Sequence, residues 1–268
     1  MEHKKVVVVI PVYQSSLSYF EQVSLRRCLS ILGNHPIVVI APQSLDTDFL
    51  SGQYCINCIE RFEDSYFDGL DGYNRLMLST EFYERFLEYT YLLICQLDAY
   101  VFSDQLTEWC DKGYDYIGAP WIPSAKYQNG FRKTELKIFQ FISRLFSLYG
   151  SRSNYYHTGN GGFSLRKTET LYRIAQSDQE KINEFLGKNS YHYAEDIYWS
   201  LRVNHLKKRL RIPDYKQSLP FAFENHPELL YRLNNNQLPF GAHAWYKEDK
   251  ALFWKRFIPE LENTGPAH

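Results

Sequence analysis

Continuous apolar runs alternate with helical patterns in the first part of the chain. The stretch "KKVVVVIPVY" (4–13) is β-branched through its centre, which is typical of a strand buried on both faces. Residues 17–33 then place apolar side chains at helical spacing, and the runs 36–42 and 54–62 predict a second and a third buried strand. Strand, helix and strand in this order predict a βαβ unit and a parallel sheet.

A fourth strand is predicted in "YLLICQLDAYVF" (91–102), between helices at 71–89 and a short helix at 104–112. It begins as a buried strand but then carries Gln96 and Asp98. Burying a carboxylate without a partner is costly. We therefore expect Asp98 to face a cleft at the end of a strand or to meet a cation.

The second half of the chain shows a less regular pattern and neither a repeat nor a low-complexity linker, so we expect a single domain over 1–268. The elements it predicts are a strand at 114–121, helices at 131–149, 168–177 and 193–203, a glycine-rich turn into a strand at 159–167, and short strands or loops at 219–225 and 238–245.

Composition excludes some classes of protein. The formal net charge of -1 gives no overall attraction to nucleic acid or to anionic lipid. The CxxC formed by Cys55 and Cys58 lacks the second pair that a zinc site needs. No window approaches the roughly 18–20 apolar residues of a membrane span, and no signal peptide is evident. We expect a cytoplasmic protein with reduced thiols.

Ligands of open α/β sheets bind beyond the carboxyl ends of the strands. The segments "PVY" (11–13) and "QLD" (96–98) are therefore expected to face one crevice. The sequence has no GxGxxG after the first strand and no GxxxxGK[ST], the two commonest phosphate-binding loops. A nucleotide bound here would need another source of positive charge, such as a divalent cation held by carboxylate oxygen.

The order of four motifs resembles a known family. A buried strand ending in "QLD", the later "GNGGFSLRK", the "ED" that begins a helix at 195 and a late His in "FGAHAW" follow one another as in GT-A-fold glycosyltransferases. The chain looks most similar to a group of bacterial GT-A-like proteins, many of them found with polysaccharide gene clusters. The resemblance covers residues 4–245.

The resemblance implies a fold and a metal site. The fold is α/β, with a Rossmann-like, mostly parallel central sheet flanked by helices and an irregular C-terminal half. Residues 1–121 would bind the nucleotide-sugar, and residues 122–268 would bind the acceptor and carry the catalytic groups. Asp98 occupies the last position of the family's DxD motif, which binds Mn²⁺ or Mg²⁺ at the nucleotide diphosphate, and His243 would complete the metal shell. Gln96 stands where the family has its first Asp, and this departure puts metal dependence in question.

The resemblance also assigns the remaining site residues. Asp196, next to Glu195, matches the general base of inverting enzymes, with both acids in the catalytic pair. Trp121 and Trp245 offer flat faces for a pyranose ring, and the glycines would let backbone approach a sugar. The donor-binding residues are Pro11, Val12, Tyr13, Asn74, Arg75, Gln96 and Asp98, and the acceptor-binding residues are Trp121, Asn160, Gly161, Gly162 and Trp245.

The activity that the resemblance implies is transfer of a sugar from a nucleotide-sugar, with uridine as the base, to a glycan or a lipid-linked glycan. Two alternatives remain open. One is a non-catalytic glycan-binding module with a decayed site, which Gln96 favours. The other is a nucleotidyltransferase, although "PVYQSSLSYF" lacks the Gly-rich basic loop usual in that class. The acids at 195 and 196 could also be ordinary first-turn residues favoured by the helix dipole.

The segment 131–149 allows two interpretations. It combines basic residues with large apolar ones at helical spacing, and a basic amphipathic helix can lie in a membrane interface. It can equally pack on its own domain with a solvated charged face. The residues concerned are Arg132, Lys133, Lys137, Arg144, Ile138, Phe139, Phe141, Ile142, Leu145 and Phe146, and a second basic cluster lies at 205–213.

Overall fold

A six-stranded sheet forms the centre of the part of the chain that the computed structural model describes, namely residues 4–56, 58–123, 130–146, 149–188 and 190–261. The strands of the protein are β1 Lys4–Pro11, β2 Ile37–Pro42, β3 Ile59–Phe62, β4 Tyr89–Cys95, β5 Ala99–Val101, β6 Tyr116–Ile117, β7 Phe163–Lys167, β8 Ala222–Phe223 and β9 Gly241–His243. The central sheet has the order β3-β2-β1-β4-β7-β6. Only β7 runs against its neighbours, so the predicted mostly parallel α/β sheet is confirmed.

Helices flank this sheet. Ser18 begins the first of them with a capping box, because its hydroxyl accepts the Glu21 N–H while its own N–H donates to the Glu21 carboxylate. The helices are α1 Tyr19–Leu32, α2 Asp48–Tyr54, α3 Gly69–Leu78, α4 Thr80–Glu84, α5 Leu106–Asp111, α6 Gly130–Leu145, α7 Ser151–Asn154, α8 Thr168–Ser177, α9 Gln179–Leu186, α10 Glu195–Ile197, α11 Tyr215–Ser218, α12 Pro227–Leu233 and α13 Glu248–Trp254.

The sheet is buried on both faces, as the apolar run of β1 predicts. Val6, Val8 and Ile10 pack in one core cluster with residues of α1. The alternate residues Val7 and Val9 pack in a second cluster with residues of α3 and α4. No helix in the described ranges has both the length and the apolarity needed to cross a bilayer.

A second, three-stranded sheet has the order β5-β9-β8. Residues 91–102 therefore form two strands in two sheets, and the prediction of one continuous strand is wrong. The chain turns between β4 and β5, where the Ala99 N–H donates to the Gln96 carbonyl at 2.9 Å. This turn explains why an apolar strand is followed by an amide and a carboxylate.

Three other predicted elements differ from the structure. The third strand begins only at Ile59, because residue 54 ends α2 and Cys55 has a positive φ of 57°. The predicted strand 114–121 is reduced to Tyr116–Ile117, and the chain after it approaches the backbone of Gly159. The predicted helix 193–203 consists of a 3₁₀ turn, α10 and a π-helical turn at Tyr198–Arg202.

We expect Leu93→Ala to lower the free energy of unfolding by about 2–5 kcal/mol, because Leu93 is fully buried in the centre of β4 and its truncation leaves a cavity. Urea denaturation followed by circular dichroism measures this change. Leu252→Ala is the matched control, since Leu252 is 78% exposed on α13 and should change stability by less than about 0.5 kcal/mol. Equal effects of the two substitutions would contradict the assignment of β4 to the core.

Candidate active site

Two of the predicted segments meet at the carboxyl ends of neighbouring parallel strands. Tyr13 follows β1 and Asp98 follows β4, and these strands pair directly. Tyr13 is half exposed, and its pKa is raised by burial and by the negative charges of Glu21 and Asp98. The segments "PVY" and "QLD" therefore lie together at one edge of the sheet, and their role in binding a donor stays a prediction.

His243 is the centre of the charged cluster at this edge. Its Nε2 lies 2.9 Å from Asp98 Oδ1 and 3.1 Å from Gln96 Oε1, and its Nδ1 lies 3.3 Å from Glu224 Oε1. The small sheet produces this arrangement. Ala99 of β5, the residue after Asp98, lies opposite His243 of β9. Phe223 of β8, the residue before Glu224, lies opposite Ala242 on the same strand. Asp98 and Glu224 consequently lie on either side of one imidazole ring.

The two carboxylates keep this imidazole charged. Burial alone would lower the pKa of His243, but Asp98 and Glu224 raise it to about 9. Burial alone would raise the pKa of Asp98, but the His243 imidazolium and the Lys247 ammonium, 3.8 Å from Oδ2, bring it below its ordinary value. The pKa of Glu224 is also lowered, since its hydrogen bond with His243 outweighs the effect of burial. At neutral pH the cluster therefore holds an imidazolium between two carboxylates.

The glycine-rich loop 159–162 fits around side chains of the protein itself. A Cβ on Gly161 would lie 1.8 Å from Glu195 Oε1, and one on Gly162 would lie 2.1 Å from His243 Nε2. Asn160 has a positive φ of 64°, and its amide nitrogen lies 3.1 Å from His243 Nδ1. The missing side chains of Gly161 and Gly162 therefore leave room for the side chains of the site, and the role of these glycines in binding an acceptor stays a prediction.

Glu195 is buried and paired with Arg166, whose Nη2 lies 2.9 Å from Glu195 Oε1. Arg166 also donates to Tyr83 Oη at 3.1 Å, and the Glu195 N–H donates to Asn74 Oδ1 at 3.0 Å. Burial raises the pKa of Glu195 and Arg166 opposes that rise in part. Because the carboxylate is enclosed, Glu195 can position its neighbours but cannot touch a substrate, and its predicted place in the catalytic pair is corrected to that role.

Asp196 lies one residue further and faces a cavity of about 480 Å³. Trp121, Asn160 and Glu224 line the same cavity. Burial, followed by the negative charges of Glu195 and Glu224, raises the pKa of Asp196 to about 7. A carboxylate with this pKa, open to a cavity, can accept a proton near neutral pH.

Three other predicted residues have side chains that the structure engages elsewhere. Trp245 is fully buried and donates to Ser24 Oγ at 2.8 Å, so no sugar can stack on it and that prediction is wrong. Arg75 is exposed on α3, and its guanidinium donates to the Ser65 carbonyl at 2.8 Å. It lines a surface cavity that does not contain Asp98, Asp196 or His243. The Val12 side chain belongs to the core and its N–H donates to the Ile40 carbonyl at 2.9 Å, which leaves the Val12 carbonyl oxygen for a base.

Two residues of the site were not predicted. Arg166 appears in "FSLRK" as one polar residue of an alternating strand, a pattern that usually indicates solvent on that face. Glu224 follows a two-residue strand and reaches His243 only through the pairing of β8 with β9. The signal available for Arg166 was a charged residue inside a strand that is buried on both faces. The sequence around Glu224 contains no comparable signal.

The cluster can be tested for its fit to a divalent metal. Asp98 Oδ1 and Gln96 Oε1 both lie within 3.1 Å of His243 Nε2, and oxygen and imidazole ligands suit Mn²⁺. Among the described residues, no group of three or more His, Cys, Asp and Glu side chains has metal-binding geometry. The third ligand would thus be the Gln96 amide, which supplies an oxygen but no charge. With this ligand the set fits, and a metal would take the place of the Nε2 proton.

One known protein family matches most of the chain. Residues 57–243 match the model of a family described as a protein of unknown function, DUF5672. The chain belongs to this family. The match includes Asp98, the glycine-rich loop, Asp196 and His243, whereas Tyr13 and Lys247 of this DUF5672 protein lie outside it. No curated protein matches the sequence.

Two solved structures show the fold of this DUF5672 member. The galactosyltransferase LgtC, solved in complex with donor and acceptor sugar analogs, is 16% identical with a TM-score of 0.52, and 97% of each chain is covered. A glycosyltransferase involved in glycosylation of the major capsid of PBCV-1 is 12% identical with a TM-score of 0.52, covering 96% of this chain and 99% of the other. The fold is that of the GT-A glycosyltransferases, as the sequence predicts.

We expect Arg166→Met to destabilise the protein by about 3–5 kcal/mol, because it leaves the Glu195 carboxylate buried without its partner. The deficit should shrink as the pH falls, since a raised pKa in the folded state costs stability only above the pKa of the unfolded chain. Urea denaturation at several pH values measures both effects. The double variant Arg166→Met with Glu195→Leu should recover most of the loss, and purely additive effects would contradict the importance of the pair.

Proposed function

We propose that this protein is a glycosyltransferase that moves a sugar from a nucleotide-sugar to a glycan or lipid-linked glycan acceptor. The observation that carries the proposal is the contact of Glu224 with both parts of the site. Glu224 binds His243, which meets Asp98 at the carboxyl ends of the strands, and it lines the cavity that contains Asp196. A donor-side charge cluster and an acceptor-side base thereby adjoin one cleft.

The donor would lie against β1 and β4. Tyr13 offers an exposed ring for a base, and we propose uridine because the GT-A family uses it most. Asp98, Gln96 and His243 would hold a Mn²⁺ or Mg²⁺ ion, which when bound supplies positive charge at the diphosphate. Lys247, 3.8 Å from Asp98, adds a cation on the same side.

The acceptor would enter the cavity of Asp196. In the proposed inverting transfer Asp196 removes the proton of an acceptor hydroxyl, and that oxygen forms a bond to the anomeric carbon. The bond from the anomeric carbon to the diphosphate breaks and its electron pair leaves with the phosphate. Trp121, which lines the cavity, offers an apolar face for the acceptor sugar.

The fold gives this proposal its context. LgtC, which shares the fold over 97% of this chain, is a galactosyltransferase solved with donor and acceptor sugar analogs. At 16% identity this likeness supports the architecture, and the residues described above carry the chemistry. A role in bacterial polysaccharide synthesis follows only from the sequence resemblance and stays a prediction.

We expect UDP to bind with Mn²⁺ and to bind much less well with EDTA, because the donor site has few cations of its own to face a diphosphate. Asp98→Asn should weaken metal-dependent UDP binding more than about 100-fold, since it removes the only acidic ligand of the set. Isothermal titration calorimetry measures both.

Asp104→Asn is the matched control for this variant, because Asp104 also pairs with a histidine, His35, but far from the crevice. It should bind UDP as the parent protein does. If UDP, GDP, CMP and their sugars all fail to bind with and without metal, the transferase proposal is wrong and a glycan-binding module becomes the better hypothesis.

We expect Asp196→Asn to lower kcat about 10²- to 10⁴-fold while leaving UDP affinity unchanged, because it removes a general base and not a donor ligand. In the parent protein kcat/KM should rise with pH through about 7, the pKa of Asp196, since the base must be ionised. Steady-state turnover of the nucleotide-sugar over a range of pH measures both effects. A variant with full activity would exclude Asp196 as the base without excluding sugar transfer.

A further inference from the structure

Helix α6 is attached to the rest of the protein by one narrow face. Leu136 and Ser143 are buried, and Gln140, between them on the helix surface, donates to the Tyr155 carbonyl at 2.7 Å. These three residues are spaced four and three apart, so they form a single stripe. Among the described side chains, this stripe packs on the neighbours of the helix, and at its two borders Lys133 lies over the Tyr156 ring and Arg152 over the Phe139 ring.

The opposite side of the helix is exposed and mostly apolar, with Thr134 and Glu135 as its polar residues. At 100° per residue its large apolar side chains cover an arc of about 160° facing away from the Leu136 stripe. We call this surface the apolar face of α6, and it consists of Phe131 (85% exposed), Ile138 (58%), Phe139 (41%), Phe141 (71%), Ile142 (47%) and Phe146 (65%). A hydrophobic patch of this kind on a protein surface marks a site of interaction.

Basic residues border the apolar face. Arg132 lies beside one edge of the arc and Lys137 beside the other, while Glu135, the one acidic residue of α6, lies within the arc between Ile142 and Phe146. A cavity of about 560 Å³ separates Phe141 of α6 from Asn204 and His205. The residues after His205 extend the surface, since Leu206 is 92% exposed and is followed by two exposed lysines, Lys207 and Lys208.

We propose that the apolar face of α6, with the adjoining loop 206–208, binds the interface of an anionic lipid bilayer. An apolar helix face bordered by Lys and Arg is the pattern of helices that lie in that interface, where the aromatic rings enter the acyl boundary and the cations meet head groups. A second copy of the chain is a poorer occupant, because two such faces would bring like charges together. The overall charge of -1 does not oppose this, since the attraction is local.

The proposed surface adjoins the acceptor side of the candidate active site. Tyr156, His157 and Thr158 line the cavity beneath α6, while Asn154 and Tyr155 line the cavity of Asp196. Residues 154–158 thus lie between the cavity beneath α6 and the cavity of Asp196. A lipid-linked acceptor would reach Asp196 from the bilayer side; this consequence rests on the proposed function, whereas the membrane binding does not.

Co-sedimentation of the full chain with vesicles tests the proposal. One set of vesicles contains phosphatidylcholine and phosphatidylglycerol in equal amounts, and the other contains phosphatidylcholine alone. We expect binding to the anionic vesicles, reduced at least about tenfold in Phe141→Ser with Phe146→Ser because two rings no longer enter the bilayer. Lys137→Glu with Lys207→Glu should reduce it similarly, and Glu135→Gln should strengthen it.

Two variants at the C-terminal end of α13, one on the helix and one just after it, are matched controls. Leu252→Ser changes an equally exposed apolar side chain and Lys255→Glu an exposed lysine, and both should bind vesicles as the parent does. Melting temperatures verify that each variant is folded. The proposal would be overturned if the parent protein failed to bind anionic vesicles or bound both vesicle types equally. It would also be overturned if only the two control variants lost vesicle binding. A concentration-dependent dimer in sedimentation velocity that Phe141→Ser with Phe146→Ser abolishes while vesicle binding persists would overturn it too.

Discussion

The buried ion pair of Arg166 and Glu195 determines how the candidate site is assembled. Removing two charges from water is expensive, and the pair is tolerable only because Arg166 also donates to Ser164 and to Tyr83. The pair joins β7, the reversed strand of the central sheet, to the first residue of α10. With Glu195 fixed inside the protein, the next residue, Asp196, is directed into the cavity. The position of the proposed base thus follows from the neutralisation of a charge that no substrate touches.

The backbone of the 159–162 loop adds a steric constraint to this electrostatic one. Gly159 lies against the Trp121 ring, Gly161 against Glu195 and Gly162 against His243. In each case a Cβ would overlap with an atom of the partner side chain. The loop can therefore contact these side chains only at positions that are glycine. One loop therefore sets the distance between the His243 cluster and the cavity of Asp196. The contact of Gly161 with Glu195 also explains why the loop just before β7 is rich in glycine: the partner of the buried Arg166 on β7 occupies the space beside it.

The hydrophobic pattern was sufficient to predict the parallel core of the fold, because strands buried on both faces have continuous apolar runs. It was sufficient to bring "PVY" and Asp98 to one edge of the sheet, because carboxyl ends of neighbouring parallel strands meet. It could not reveal Glu224, whose contact with His243 depends on the pairing of two very short strands that the local sequence does not specify. Trp245 shows the converse limit: its ring suits a sugar, but its N–H finds Ser24 in the core, and a tryptophan alone does not indicate which surroundings it has.

Two carboxylates face the cavity, and their surroundings assign them different roles. Glu224 is bound to the His243 imidazolium, which lowers its pKa and makes it a weak base. For Asp196, burial and the charges of Glu195 and Glu224 outweigh the Ile197 N–H and the more distant Arg166, and they raise its pKa to about 7. Acid and base roles in active sites are commonly separated by environments that shift two pKa values apart. Glu224 therefore serves as the permanent counter-ion that keeps His243 in place, and its charge makes Asp196 a stronger proton acceptor. The two halves of the proposed reaction are coupled through this one residue.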